Sequence, residues 1–247
     1  MGRKFIVLDT EGVDTVKHSD NQPHPETSLF YDFGFIVADR EGNIYEEKSF
    51  INTDVFFKYD DKGNRIMDSA YYANKLPQYY VGMGEEWDLA NTKEIWVSFK
   101  DAILRYGVRD IWAYNVRYDM LICDSTLRHM SNGFSQWFKP FKCNYRDIWD
   151  YAGSTICNTK KYVKWCGEHG FISEKGNPRT NADTVAKYVY GELSFEERHT
   201  ALDDCQCELD ILLQCFKRHQ KARKSMGQGW RDAANVCKEL RDNERMV

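Results

Sequence analysis

The sequence predicts one α/β domain with a mixed sheet in its first half and a mostly helical second half. Three observations carry this. Phe5–Leu8 is a short continuous apolar run, the pattern of a buried strand. Two β-rich runs, around SLFYDFGFIVA and IYEEKSFIN, flank Asp39-Arg40-Glu41-Gly42-Asn43, which reads as a hairpin turn. From residue 142 onward the apolar residues recur mainly at helical spacing. At 247 residues, 42% of them hydrophobic and 15% aromatic, the chain can bury a sizeable core.

The first three strands are close in sequence, so they are expected to be antiparallel neighbours. Residues 12–28 are polar, carry Pro23 and Pro25, and read as a loop. Residues 54–94 are irregular and aromatic. Their rings could stack nucleobases, but a local core covering the sheet is the favoured reading. At 92–107, Ile95, Phe99, Ile103 and Tyr106 share one helical face, and Gly107 closes the helix. VRDIWAYN then reads as a strand and VRYDMLICDSTLRHM as a helix. Helical pieces follow in DIWDYA, KKYVKWCGEHG, NADTVAKYVYG, a long stretch near 201–220, and WRDAANVCKELRDNE, with GQG at 227–229 as a hinge. Residues 1–220 are assigned to the main domain and 221–247 to a C-terminal helical extension packed on it or tethered to it.

Composition narrows the function. No apolar run approaches the roughly 20 residues of a membrane span, so no membrane association is expected. The eight cysteines form no CxxC pair, and no paired metal-ligand spacing appears among them. They read as reduced thiols of a cytoplasmic protein. A net charge of −4 argues against bulk electrostatic binding to duplex nucleic acid. The one basic run, KRHQKARK at 217–224, reads as a solvated helix end.

Chemistry concentrates at three places. On a strand, positions i and i+2 share a face, so Asp9 and Glu11 sit side by side at the end of the first strand. Two carboxylates so placed call for a cation between them. In Ala113-Tyr114-Asn115-Val116-Arg117-Tyr118-Asp119, Asn115 is a good helix N-cap and Asp119 lies in the first turn. In Arg198-His199-Thr200-Ala201-Leu202-Asp203-Asp204, the pair Thr200 and Asp203 has the spacing of a capping box. If Thr200 caps the helix, His199 lies just outside it and Asp204 in its first turn. Both can then reach one point beyond the helix N-terminus. Asp203, one position earlier, is expected to reach back to the Thr200 backbone N–H.

Taken together, FIVLDTEG, IWAYNVRYDMLI and RHTALDDCQCELDIL resemble, in order, the three motifs of the DEDD superfamily of 3′–5′ exonucleases, in its histidine subgroup (DnaQ-like and RNase T-like). The resemblance covers Phe5 to about Phe216. Tyr118 stands where the family usually has phenylalanine, and the 54–94 stretch is long for it. The resemblance implies an RNase H-like fold, a five-stranded mixed sheet flanked by helices. It implies two divalent ions, Mg²⁺ or Mn²⁺, held by Asp9, Glu11, Asp119 and Asp204. It makes His199 the general base, and Thr10, Gly12 and Asn115 are assigned to substrate contact. The activity implied is release of nucleoside 5′-monophosphates from single-stranded or frayed DNA or RNA 3′ ends. An RNase H-like endonuclease and a proofreading or nucleic-acid-binding subunit of a polymerase are the alternatives. A homodimer or a polymerase partner is compatible with either.

Overall fold

A computed structural model describes residues 2–15, 24–70, 72–131, 133, 137–218 and 220–244. The loop read at 12–28, the basic run at 217–224 and the extension at 221–247 therefore fall partly outside the described residues, and of that loop residues 12–14 and 28 are paired strand instead. The strands are β1 (Phe5–Asp14), β2 (Ser28–Ala38), β3 (Ile44–Asn52), β4 (Asp88–Ala90), β5 (Asp110–Ala113) and β6 (Asn144–Asp147). The helices are α1 (Thr53–Phe56), α2 (Leu76–Gly82), α3 (Thr92–Tyr106), α4 (Val116–Met130), α5 (Ile148–Ala152), α6 (Lys160–Glu168), α7 (Ala182–Tyr190), α8 (Ala201–Phe216) and α9 (Trp230–Glu244). The sheet order is β4-β3-β2-β1-β5-β6, with β1, β2 and β3 antiparallel as expected. The sheet has six strands where five were expected. The extra one, β4, is a three-residue parallel edge beside β3, too short to carry a periodic signal.

By contacts the chain forms two units: residues 1–111, 117–145 and 198–205, and residues 112–116, 146–197 and 206–247. In the first unit, every residue of β2 is buried, as a strand covered on both faces must be. Between Glu11 and Gly12 the β1–β2 register shifts, and Tyr31 is the extra residue on β2. A bulge breaks the strict alternation of faces. Phe30 consequently joins Phe33 on the side that packs against Phe138, with Phe99 of α3 completing the cluster. Tyr31 turns the other way, onto Phe56 and Tyr79. Part of the 54–94 segment forms a local core, as expected: Val55, Phe56, Tyr79 and Trp87 are buried with Val13, Leu29 and Ile51, while Phe57, Tyr59 and Tyr80 are exposed.

One turn recurs three times among the described residues. In Asp39–Asn43, Asp60–Asn64 and Ser173–Asn177, the fourth residue is a glycine with positive φ. Its N–H donates to the first residue's carbonyl, whose own N–H donates to the closing asparagine. Glycine adopts that positive φ without steric cost. Only the first copy joins two long strands, so only that one announces itself as a hairpin.

In the second unit, α9 packs on α6 and on the π-helical turn Gly153–Cys157. The GQG segment, expected to be a hinge, is fastened. The Gly227 N–H donates to Asp147 and the Gln228 N–H to Asp150, both at 2.6 Å. Gly229 meets the backbone of Trp149 and Gly153 so closely that neither glycine has room for a Cβ. Asp147 also accepts the Trp149 N–H. Burial is the largest influence on Asp147 and pushes its carboxyl up to about 6, from an ordinary 3.8. A folded-state value raised in this way contributes stability that is complete below about pH 4 and is lost as the pH rises through 6. Relative to Asp147→Asn, the wild type should therefore lose on the order of 3 kcal/mol at most between pH 4 and 7.5. Urea unfolding of both proteins across that range measures it, and a pH-independent gap would contradict the shift.

Candidate active site

Asp9 lies on β1 directly opposite Gly34 of β2, and Glu11 opposite Asp32. Both pairs precede the bulge, so the pleat turns all of them except the bare Gly34 into side chains on one face. The N-terminus of α8 is seated on that face. A Cβ on Gly34 would lie 2.5 Å from the Ala201 carbonyl carbon and 2.6 Å from the Leu202 nitrogen, far inside van der Waals contact. Only a glycine permits this approach.

Because α8 begins at Ala201, Thr200 stands at the helix entrance, His199 just outside it and Asp204 in the first turn. Glu11, His199 and Asp204 each present one possible ligand atom, and all three atoms lie within 4.8 Å of one another. His199 Nδ1 is 3.9 Å from Asp204 Oδ2. Asp9 lies on the same face of β1 but outside this group. Asp119, buried in the first turn of α4, accepts a 2.9 Å hydrogen bond from the Thr10 hydroxyl. Thr10 points to the opposite face of β1 from its two acidic neighbours. The structure therefore brings three of the five expected residues together, holds Asp9 alongside, and ties Asp119 to the same strand through Thr10.

The three residues assigned to substrate contact have other engagements. The Thr10 hydroxyl is used by Asp119. A Cβ on Gly12 would collide with Ile122 and lie 3.3 Å from the Tyr118 hydroxyl, so that glycine lets α4 pack on β1. Asn115 lies in the second unit with φ of 60° and donates its N–H to Asp147 at 3.1 Å. Among the described residues, the expected bond from Asp203 to the Thr200 backbone N–H is not made. The Asp203 carboxylate instead accepts from the Thr200 hydroxyl and, at 3.3 Å, from Arg198, and it faces solvent. Local spacing brought Asp203 back to Thr200 correctly but could not choose between a backbone and a hydroxyl donor.

Three residues around the site are absent from the motifs. Asp32 is fully buried, and one of its oxygens accepts both the Tyr79 hydroxyl (2.8 Å) and the Ala201 N–H (2.9 Å). Burial raises its carboxyl to about 6, opposed chiefly by that backbone N–H. Tyr72 stacks on the His199 imidazole, with centroids 4.2 Å apart and planes 11° from parallel. Asp32 had a visible signal: it is a lone acid in the otherwise apolar or neutral SLFYDFGFIVA. Tyr72 had none, because nothing local distinguishes it from the other tyrosines of its segment.

A six-stranded mixed sheet with helices on its faces is a fold that solved nuclease structures share. Among solved structures, the nuclease domain of 3′hExo, a DEDDh family member bound to rAMP, superposes with a TM-score of 0.58 at 11% identity. The match covers 91% of this chain and 98% of that one. E. coli Exonuclease I in complex with a dA16 oligonucleotide gives a TM-score of 0.54 at 15% identity, over 87% of this chain. The chain spans only 41% of the Exonuclease I structure. At such identities the likeness is one of fold. No protein-family model and no curated protein sequence matches the chain. Among the described residues, no helix is long and apolar enough to cross a membrane.

The seating of α8 generates a prediction. Gly34→Ala places a methyl group into backbone rather than into a flexible side chain. It should lower unfolding free energy by about 1–3 kcal/mol, the usual cost of overpacking. A urea midpoint unchanged from wild type would mean that α8 does not rest on Gly34.

Proposed function

We propose that this chain is a metal-dependent 3′–5′ exonuclease that releases nucleoside 5′-monophosphates from single-stranded or frayed 3′ ends. The observation that carries the reading is the convergence of Glu11, His199 and Asp204 over β1, in a fold shared with DEDDh exonucleases. The donor set fits Mg²⁺ or Mn²⁺, which prefer carboxylate oxygens and retain waters for a substrate phosphate to replace. Asp9, Glu11, Asp119 and Asp204 would hold two such ions. When bound, the ions would stabilise the attacking and leaving oxygens of an in-line displacement at phosphorus. His199 accepts the proton of the attacking water, a task suited to an imidazole, whose neutral ring offers a free nitrogen lone pair. The bound oligonucleotide of Exonuclease I and the rAMP of 3′hExo support a single-stranded substrate and a mononucleotide product. Residues 221–247 belong, in this reading, to an extension of the nuclease domain.

The deciding experiment uses matched single-stranded DNA and RNA carrying labels at the 3′ or 5′ end, with Mg²⁺ or EDTA. The 3′ label should leave at once as a mononucleotide, the 5′-labelled strand should shorten stepwise, and EDTA should stop both. Cleavage of a circular single strand would instead indicate an endonuclease. His199→Ala should slow turnover by about 10²–10⁴-fold, the range of general-base catalysis, with substrate affinity retained. If affinity collapses while single-turnover chemistry is intact, His199 is a binding residue.

The adjacent acids Asp203 and Asp204 should separate cleanly, since helix neighbours point about 100° apart. Asp204→Asn should abolish metal-dependent cleavage with stability nearly unchanged. Asp203→Asn touches only a half-exposed bond to Thr200 and Arg198. It should cost about 1 kcal/mol or less and keep most of the activity. Paired thermal melts and nuclease assays that gave the reverse pattern would place the metal ligand at Asp203.

A further inference from the structure

We propose that the buried pair Asp32 and Tyr79 positions His199 by fixing the left-handed turn that delivers its imidazole to the site. The inference rests on the reading of His199 as the general base. His199 has φ of 57°, a conformation that residues with a side chain adopt only when their surroundings hold them. The surroundings here are specific. The residue two positions on, Ala201, gives its N–H to Asp32 at 2.9 Å. The Tyr79 hydroxyl donates to the same Asp32 oxygen at 2.8 Å and lies 3.4 Å from the His199 carbonyl oxygen. The Ala201 side of Thr200 is thus pinned to a buried carboxylate, and the phenol that donates to that carboxylate lies against the His199 carbonyl on the other side. Tyr72 then limits rotation of the ring itself by lying parallel to it at 4.2 Å.

This arrangement has a division of labour. Asp32 stands opposite Glu11 across the β1–β2 ladder, so its position is tied to that of a candidate ligand. Tyr79 arrives from α2 and belongs to the local core that Phe56 and Trp87 build. The pair therefore links three things in one register: the acid on β1, the entrance of α8, and the aromatic layer. Neither Asp32 nor Tyr79 is offered as a catalytic residue. Both are buried, and both act through the turn.

Tyr79→Phe tests this with least damage, since it keeps the ring in the core and removes only the hydroxyl. Asp32→Asn is the second variant. Each should lower kcat by about tenfold or more with KM nearly unchanged, because a misplaced base weakens the chemical step and not binding. In a His199→Ala background the same changes should cost nothing further, the non-additivity expected of residues that act as a unit. A structural role alone would lower activity by the same factor in both backgrounds, and that result would overturn the proposal.

An independent readout does not need activity. In the wild type, the ring current of Tyr72 should shift the His199 imidazole C–H resonances upfield, and Tyr72→Ala should mark their unstacked positions. Tyr79→Phe should move them toward those positions, and unmoved resonances would count against the pair. If the wild type degrades neither DNA nor RNA, the exonuclease reading fails, and the resonances alone decide whether Asp32 and Tyr79 hold the turn. If Asp32→Asn does not fold, Tyr79→Phe carries both measurements.

Discussion

The first turn of α8 has to touch the backbone of β2, and much of the site follows from that contact. At Gly34 there is no side chain to hold the helix away. The helix N-terminus therefore comes down on the strand at the position opposite Asp9, with Glu11 two residues further along. The unpaired N–H groups of a helix entrance carry partial positive charge. Placing them over the paired strands that bear Asp9, Glu11 and Asp32 offsets part of the repulsion among those acids. A larger residue at position 34 would push away the helix entrance, and His199 and Asp204 with it.

The bulge at Tyr31 is the second geometric device, and it works in concert with the first. Bulges re-aim side chains where regular pleating would waste them. Here the extra residue lies immediately beside Asp32. Before it, Phe30 faces the α3 side with the core. After it, Asp32 faces α8, so β2 enters the site at the bulge. The polar part of the strand is thereby confined to the few residues that lie under the α8 entrance.

How much of this could be read from the sequence depends on the range of the interaction. The end of α3 was legible because Gly107 takes the positive φ that stops a helix. The entrance of α8 was legible because Thr200 and Asp203 have capping-box spacing. The acids on β1 were legible because strand periodicity alone puts Asp9 and Glu11 on one face. What escaped is non-local. The bulge is a register shift between two strands, which neither strand shows alone. β4 exists only because β3 offers it an edge. The fastening of Gly227 and Gln228 by Asp147 and Asp150 joins residues about 80 positions apart, so the glycines looked like a hinge. Tyr72 and Tyr79 belong to a segment in which many aromatics are core, and only the fold distinguishes one that touches His199 or its turn from those that do not.

The left-handed backbone of His199 costs of order 1–3 kcal/mol, and it persists only because its neighbours over-determine it. A flexible loop could also have presented an imidazole to the acids, without strain. It would have done so in many orientations, and general-base catalysis needs the ring within hydrogen-bond reach of one water. The chain instead sets a buried carboxylate behind the turn. Burial alone disfavours the charged form of Asp32, and the Ala201 N–H and the Tyr79 hydroxyl favour it. The bond that anchors the turn, from the Ala201 N–H, is therefore also one of those that make a buried carboxylate tolerable there. Losing it frees the turn and leaves Asp32 less well satisfied, so the strain at His199 and the burial of Asp32 are retained together.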